Sequence, residues 1–531
     1  MDGRRGTLLA VILGSAIVFL DSTVVNVALL KIGEDLPSHL FGALEGETYV
    51  YNAYLLTLSA LLVVAGALAD VYGRRRMFAV GLAGFGVTSV LCGLAPSLEI
   101  LIVFRIAQGA AGALLVPGSL AILTAAFEGE DLGRAFGLWA GVSAAMTILG
   151  PLVGGLLVQT ISWRAAFFVN VPLVLIALWA TWRSVSESRS GDARPRFDWA
   201  GAAAAGIAIG GLSFGAIYGQ QREWKDPVGP AALAVGALAL VAFLVMMARG
   251  RHPLVPLGMF RSRNFAVTNL STFLIYGALY VFLYEQATFS QGTLGYTAAA
   301  AGMLSIPGSV LLAVLSPRIG VLGARYGPRR FMVAGPTLMA AGLLWQARIP
   351  AGSPAWVLNP GSPASWIPPA GYFVDFLPTA ILFGGGLALM VAPLTTALMT
   401  SVPARNAGLG SAINNAISRV GPQLAGAAIF VAITAAFYGD LASRIPGLDV
   451  NSSALRLAVA PLQRPDPSVG RTVAVAAQAA STDAFHVAVA VAAGLLLLGA
   501  LANAIGIRDS ETSREPATSG PETQAAAGSS T

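Results

Sequence analysis

Fourteen long apolar runs follow one another along this chain, and that succession limits its fold more than any other feature. Their approximate limits are 7–30, 48–69, 77–95, 98–123, 134–157, 165–182, 198–219, 230–248, 265–287, 298–317, 331–346, 375–401, 409–438 and 483–506. A run of about 20 apolar residues, rising about 1.5 Å per residue, crosses the roughly 30 Å core of a bilayer as an α-helix. Lipid offers the backbone no hydrogen-bond partners, so only helices and closed barrels cross it. Barrel strands alternate polar and apolar residues, and these runs do not. The expected fold is all-α and polytopic, with 14 transmembrane helices. Only 11% of residues are charged, against about 25% in an ordinary globular chain.

Charge sets the expected orientation. With the N-terminus inside, 21 Lys and Arg residues fall in cytoplasmic loops and tails and nine outside, with Arg105 and Arg419 within spans. That is the positive-inside pattern, and an odd number of spans would spoil it. The net charge of +6 is therefore a topology signal, not a nucleic-acid one. The termini are expected in the cytoplasm, in a cell inner (plasma) membrane. Arg4 and Arg5 precede a run too long for a cleaved signal peptide. The two long outer loops, 347–374 and 439–482, are rich in Pro, Ser and Ala and either cover the outer mouth or stay disordered.

Enzyme chemistry finds few carriers. Lys31 and Lys225 are the only lysines, and neither follows a glycine as a phosphate loop requires. Cys92 is the single cysteine, and His39, His252 and His486 are too far apart for a zinc motif. No cofactor or metal is expected.

Against that background Asp21 stands out, inside the first run. A carboxylate at membrane depth costs on the order of 3 kcal/mol even on forgiving scales. It is tolerated where it faces a cavity or a partner, so a proton or substrate site is the default reading. A helix-end, snorkelling carboxylate is the alternative. Arg105 lies about seven residues, roughly 10 Å, from the outer end of its span, and Asp21 about nine residues, roughly 13 Å. Opposite charges at similar depth are natural partners.

The chain also repeats itself. ADVYGRRR (Ala69 to Arg76) is matched by ARYGPRR (Ala324 to Arg330), GPLVGG (Gly150 to Gly155) by GPQLAG (Gly421 to Gly426), and GAAGALLVP (Gly109 to Pro117) by GGLALMVAP (Gly385 to Pro393). The offsets are 254, 271 and 276 residues, and each pairs span n with span n+8. Two related six-helix bundles with two inserted helices follow: 1–197, an inserted pair at 198–264, 265–508, and a disordered tail at 509–531. The 276 offset places Ile381 opposite Arg105, so the fold itself does not need the arginine. Parallel six-helix repeats bind substrate at the midplane between the halves.

The motifs sharpen this. LDSTVVNVALL (Leu20 to Leu30), GALADVYGRRR (Gly66 to Arg76), LIVFRIAQGAAGALLVPG (Leu101 to Gly118), GPLVGG, SWRAAFFVNVP (Ser162 to Pro172) and FDWAG (Phe197 to Gly201) resemble those of the fourteen-span drug:proton antiporters of the major facilitator superfamily. Leu30 replaces that family's usual proline. The resemblance implies a proton-coupled exporter of drugs or other amphipathic or hydrophobic small molecules, conferring antibiotic resistance. Its partners would be substrate, protons and membrane lipids, without nucleic acid, and it would act as a monomer.

Carried over residue by residue, the resemblance implies proton coupling at Asp21 and Arg105. It implies a conformational latch of Gly66, Asp70, Gly73, Arg74 and Arg75, and an antiporter motif of Gly150, Pro151, Gly154 and Gly155. Gln108, one turn from Arg105, is positioned to relay hydrogen bonds. Asn26 points about 140° away from Asp21, so it is expected to bond a neighbouring helix. Glu285, Asn414, Asn415 and Arg419 complete the substrate-cavity candidates, and Glu285 lies close enough to its span's end to be interfacial. Trp139, Phe136, Tyr276 and Tyr280 are candidate pocket aromatics. A dedicated exporter of one metabolite or lipid remains open; a polytopic enzyme or a transporter-like sensor lacks the residues or soluble domain it would need.

Overall fold

The structure, a computed structural model, describes residues 3–37, 43–188, 197–221, 224, 226–250, 253–359, 361–403 and 406–509. The side chains of Asn26, Leu30, Glu34, 43–48, Ala144, 147–149, Pro151, Leu152, Gln159, Gln220, Gln221, Ala298, Ser453 and Leu457 lie outside that description.

The first bundle comprises α1 (Gly3–Asp35), α2 (Ala43–Tyr72), α3 (Arg74–Gly93), α4 (Leu98–Ala126, broken at Leu114), α5 (Gly129–Thr160) and α6 (Ala165–Ser184). The inserted pair is α7 (Trp199–Gln221) and α8 (Val228–Arg249). Then follow α9 (Arg263–Gly292), α10 (Ala299–Tyr326), α11 (Arg329–Gln346), α12 (Tyr372–Thr400), α13 (Ala407–Arg444) and α14 (Arg471–Gly506). Hydroxyls start several of them: Ser97 accepts from Ile100 N, Ser262 from Phe265 N and Thr297 from Ala300 N, each answering a donor the first turn leaves open.

Among the described residues, twelve of these helices are long and apolar enough to cross a membrane. The other two, α5 and α11, occupy the fifth and eleventh expected places. Glu130, Asp131 and Arg134 open α5, and several of its mid-helix side chains lie outside the description. Arg329, Arg330 and Pro336 dilute the apolar content of α11, which is only 18 residues long.

Helix neighbours repeat with the sequence. The pairs α1–α5, α1–α6, α2–α4, α3–α4 and α3–α6 recur as α9–α13, α9–α14, α10–α12, α11–α12 and α11–α14. The two sets meet along α2–α13 and α5–α10, contacts that an exchange of span n with span n+8 turns into one another. The inserted α7 packs on both α2 and α13, and α8 packs on α7.

Boundaries shift most near the second outer loop. The last helix begins at Arg471, not near 483, and α13, 38 residues long, runs to Arg444. Both loops are packed: Trp356 and Leu358 in the first and Val459 and Leu462 in the second are buried against the C-terminal bundle. Residues 510–531 lie outside the described residues.

Candidate functional site

Asp21 on α1, Ser89 on α3, Arg105 and Gln108 on α4, and Asn170 on α6 have no exposed surface. Arg105 Nη1 donates to Asp21 Oδ2 at 2.6 Å and to Gln108 Oε1 at 2.8 Å. The other carboxylate oxygen, Oδ1, accepts from Asn170 Nδ2 at 2.9 Å and from Gln108 Nε2 at 3.1 Å. The same two amides donate to Ser89 Oγ, at 3.0 and 3.3 Å, and Ser89 donates to Phe167 O. Arg105 Nε donates to Val50 O, and its guanidinium carbon lies 4.1 Å from the centroid of Tyr54. Arg105 Nη2 has no hydrogen-bond partner among the described residues; the Tyr54 ring face attracts the cation.

This arrangement answers the cost of burying Asp21. An ion pair is neutral as a unit, and neutral amides fill the carboxylate's remaining lone pairs. Removing either charge alone leaves the other buried without compensation, at a cost of about 3–5 kcal/mol. Asp21 has no exposed surface in this arrangement.

Gly150 and Gly154 bring α5 against α1 one turn from Asp21. A Cβ on Gly150 would fall 1.8 Å from Thr23 Oγ1, and one on Gly154 3.0 Å from Val24 O. Gly155 faces open space. The side chains of Pro151 and Asn26 lie outside the described residues.

The second cluster joins the two bundles at the end of α2. Asp70 Oδ1 accepts from Arg74 Nε and Nη2 at 3.1 and 3.0 Å. The same carboxylate accepts from the first free amides of α13, Gly408 N at 3.2 Å and Leu409 N at 2.8 Å. A helix N-terminus offers unpaired N–H groups and a positive dipole end, so it favours a carboxylate. The approach is permitted by Gly66, where a Cβ would lie 2.4 Å from Ala412 Cβ and 2.6 Å from Gly408 O.

Gly73 and Arg75 turn the other way, onto their own bundle. Gly73 has φ +108°, a conformation glycine adopts without penalty. Arg75 N donates to Glu187 Oε1 at 3.1 Å, and Arg75 Nη2 to Trp182 O. Its side chain does not bridge the bundles as a latch residue would. The repeat copies this turn: Gly327 has φ +86°, and Arg329 N donates to Asp509 Oδ1 at 3.1 Å. Glu187 and Asp509 each stand three residues beyond the last helix of their bundle, and each caps the bundle's third helix.

The C-terminal candidates divide. Asn414 Nδ2 donates to Thr272 Oγ1 at 2.7 Å and to Asn269 Oδ1 at 3.2 Å, tying α13 to α9. Asn415 bonds Ser411 of its own helix. Arg419 is half-buried, without a hydrogen bond or ion pair among the described residues, within electrostatic reach of Tyr51 and Tyr54. Glu285 is 6% exposed, so the protein around it covers most of its surface. Of the aromatics, Phe136 and Trp139 belong to the first bundle's core, with Trp139 Nε1 donating to Ser15 Oγ, while Tyr280 is exposed.

Sequence reasoning missed Asn170, Ser89, Glu187 and Asp509. Asn170 had a signal: it is the lone amide in the apolar stretch AAFFVNVPLVL. Ser89 had none, since a hydroxyl in a span is common and satisfies itself on its own helix.

A family model for the Major Facilitator Superfamily matches residues 11–427. The chain is 34% identical over 438 residues to the "Multidrug resistance protein Stp" of Mycobacterium tuberculosis, covering 81% of this chain and 76% of that protein. It is 33% identical over 444 residues to the "Tetracenomycin C resistance and export protein" of Streptomyces glaucescens, covering 83% and 78%. Among solved structures, that of the human organic anion transporter MFSD10 superposes with a TM-score of 0.57 at 13% identity, covering 94% of this chain and 99% of that one; this likeness concerns the fold alone.

Proposed function

The chain belongs to the major facilitator superfamily, and on that premise we propose that it is a proton-coupled antiporter exporting drugs or other amphipathic small molecules. The observation that carries the proposal is the fully buried Asp21, held by Arg105, Gln108 and Asn170. Fold stability does not call for its partner Arg105, since the place matching Arg105 in the second bundle is Ile381. Protonation of Asp21 would remove the charge that Arg105 holds, loosen α1 from α4 and favour one facing state. Proton entry is from the outside. The relatives are named for multidrug resistance and for resistance to and export of tetracenomycin C, which supports export as the direction.

In this reading residues 1–197 and 265–508 rock as two bundles about a central cavity, with 198–264 riding on the α2–α13 seam. Asp70, Arg74 and Gly66 hold the cytoplasmic side shut, and Gly73 and Arg75 set the turn that aims Arg74. The protein is a multi-pass membrane protein; we place it in the plasma membrane as a monomer, with both termini inside. A second reading, export of a single metabolite, differs in substrate breadth alone, and the name of the Streptomyces relative favours considering it.

The test is substrate-driven proton movement in liposomes holding the purified chain. Asp21→Asn combined with Arg105→Ile, which removes both buried charges together, is expected to abolish coupling while the protein stays folded. Coupling at the wild-type level in that variant would overturn the proposal. A panel of unrelated drugs in an efflux-deficient host separates broad from dedicated export.

A further inference from the structure

A cavity of about 780 Å³ opens among α7, α9, α13 and residues 456–463. Two charges of opposite sign line it, and neither has an ionic partner among the described residues. Glu285 on α9 is 6% exposed, and no hydrogen bond or ion pair reaches its carboxylate among those residues. Arg456, in the second outer loop, is pinned by neutral groups alone. Its Nε donates to Val450 O at 3.0 Å and its Nη2 to Asn451 Oδ1 at 3.1 Å, and the guanidinium lies 4.5 Å from the Tyr438 ring centroid. Its Nη1 makes no hydrogen bond among the described residues.

The two charges stand too far apart to pair. Phe273 and Gly277 of α9 lie against Gly421 and Ala425 of α13, and Val281 lies against Gly426. That register sets Glu285 level with the turn 430–433, so Tyr438 and the guanidinium on its ring lie roughly 10 Å further along the axis. A carboxylate and a guanidinium left without counter-ions at membrane depth or in apolar walls are costly to keep. One kind of ligand answers both: an ammonium at one end for Glu285, and an anion at the other for the free N–H groups of Arg456. Tyr280, Phe430 and Trp224 line the same cavity and offer ring surface to an aromatic body that joins the two ends.

We propose that this cavity binds extended aromatic zwitterions, with the ammonium against Glu285 and the carboxylate against Arg456. A plain cation leaves Arg456 unanswered and a plain anion leaves Glu285 so, and the cavity ranks both lower. A dication would carry its second charge toward Arg456, where like charges repel. Export of such a zwitterion rests on the transport reading above; its binding does not.

Binding is measured by titration calorimetry on the purified full-length chain in lipid nanodiscs, without any ion gradient. The probe is a biphenyl with an aminomethyl group at one para end and a carboxylate at the other. Its methyl ester is a plain cation, and its N-acetyl derivative a plain anion. The wild type is expected to bind the zwitterion about tenfold or more tighter than either derivative. Glu285→Gln should erase the advantage over the N-acetyl form and keep the advantage over the ester. Arg456→Gln should do the reverse. Loss of folding cannot produce that crossed pattern. Equal binding of the three probes by the wild type overturns the proposal and needs no variant to fold. So does either variant that still binds and keeps both advantages or loses both, or a pattern that vanishes in Asp21→Asn with Arg105→Ile instead. A chain that binds with the crossed pattern yet exports none of the zwitterion leaves the site standing and removes the transport reading.

Discussion

The two bundles share a backbone plan and differ in what they bury. Where the first holds Asp21, Arg105, Gln108, Asn170 and Ser89 in one sealed charged network, the second joins α9 to α13 through neutral groups, Asn414, Asn269 and Thr272. The seam between them shows the same contrast. Gly66 meets Gly408 on one side of the molecule, and Gly320, its copy at the 254 offset, meets Gly133 on the other, with a hypothetical Cβ 2.2 Å from Gly133 O. Yet Asp70 caps α13, and its copy Ala324 merely packs near Gly133. Close backbone approach is what the fold requires, so it appears twice. The charges appear once, so the fold alone does not call for them.

The sharpest way to break this contrast is to give the first bundle the second bundle's residue. Arg105→Ile leaves Asp21 uncompensated and should cost about 3–5 kcal/mol, read as loss of folded protein in size-exclusion profiles. Adding Asp21→Asn should restore folding without restoring proton coupling. If Arg105→Ile alone folds normally, the pair is not what balances the buried carboxylate.

Gly66→Val comes next. Its side chain cannot share space with Ala412 and Gly408, so the α2–α13 seam should open, seen as longer spin-label distances across it and lost transport. Unchanged distances would mean the seam is already open in the membrane.

Smaller effects follow at the caps. Asp70→Ala removes a partly charge-assisted cap and should weaken the closed seam by about 1–3 kcal/mol. Ala324→Asp, which offers α5 a carboxylate, should shift the same distances the opposite way. Asn170→Ala removes one hydrogen bond to Asp21 and should reduce coupled transport about tenfold with little change in stability. Glu187→Ala and Asp509→Ala each remove a single cap on an exposed turn and should lower Tm by about a degree or two.

Much of this was readable from residues alone. Long apolar runs, arginine placement and the n to n+8 repeat are properties of single segments, and membrane burial makes their meaning nearly unambiguous. Asp21 and Arg105 were paired by depth, because a charge in lipid is costly enough to need explaining wherever it occurs. Asn170 and Ser89 were not, because an amide or a hydroxyl carries a smaller cost and depth alone does not choose its partner. Glu187 and Asp509 escaped for a different reason: a loop acid looks like any solvated charge until the chain turns back. The distance of Glu285 from its helix end is legible in sequence, whereas the packing of α7 and of residues 456–463 around it is not.

Those two loop acids also bear on the order of events during synthesis. Each becomes available only after the sixth helix of its bundle has been made, and each then secures the third, some 110 or 180 residues earlier in the chain. A bundle is thus clasped by nearly the last residue it needs. The N-terminal bundle can be complete while α7 is still being translated, and it can wait as a finished unit through the insertion of the next two spans. The C-terminal bundle is clasped in the same way, by Asp509, only after α14 has been made.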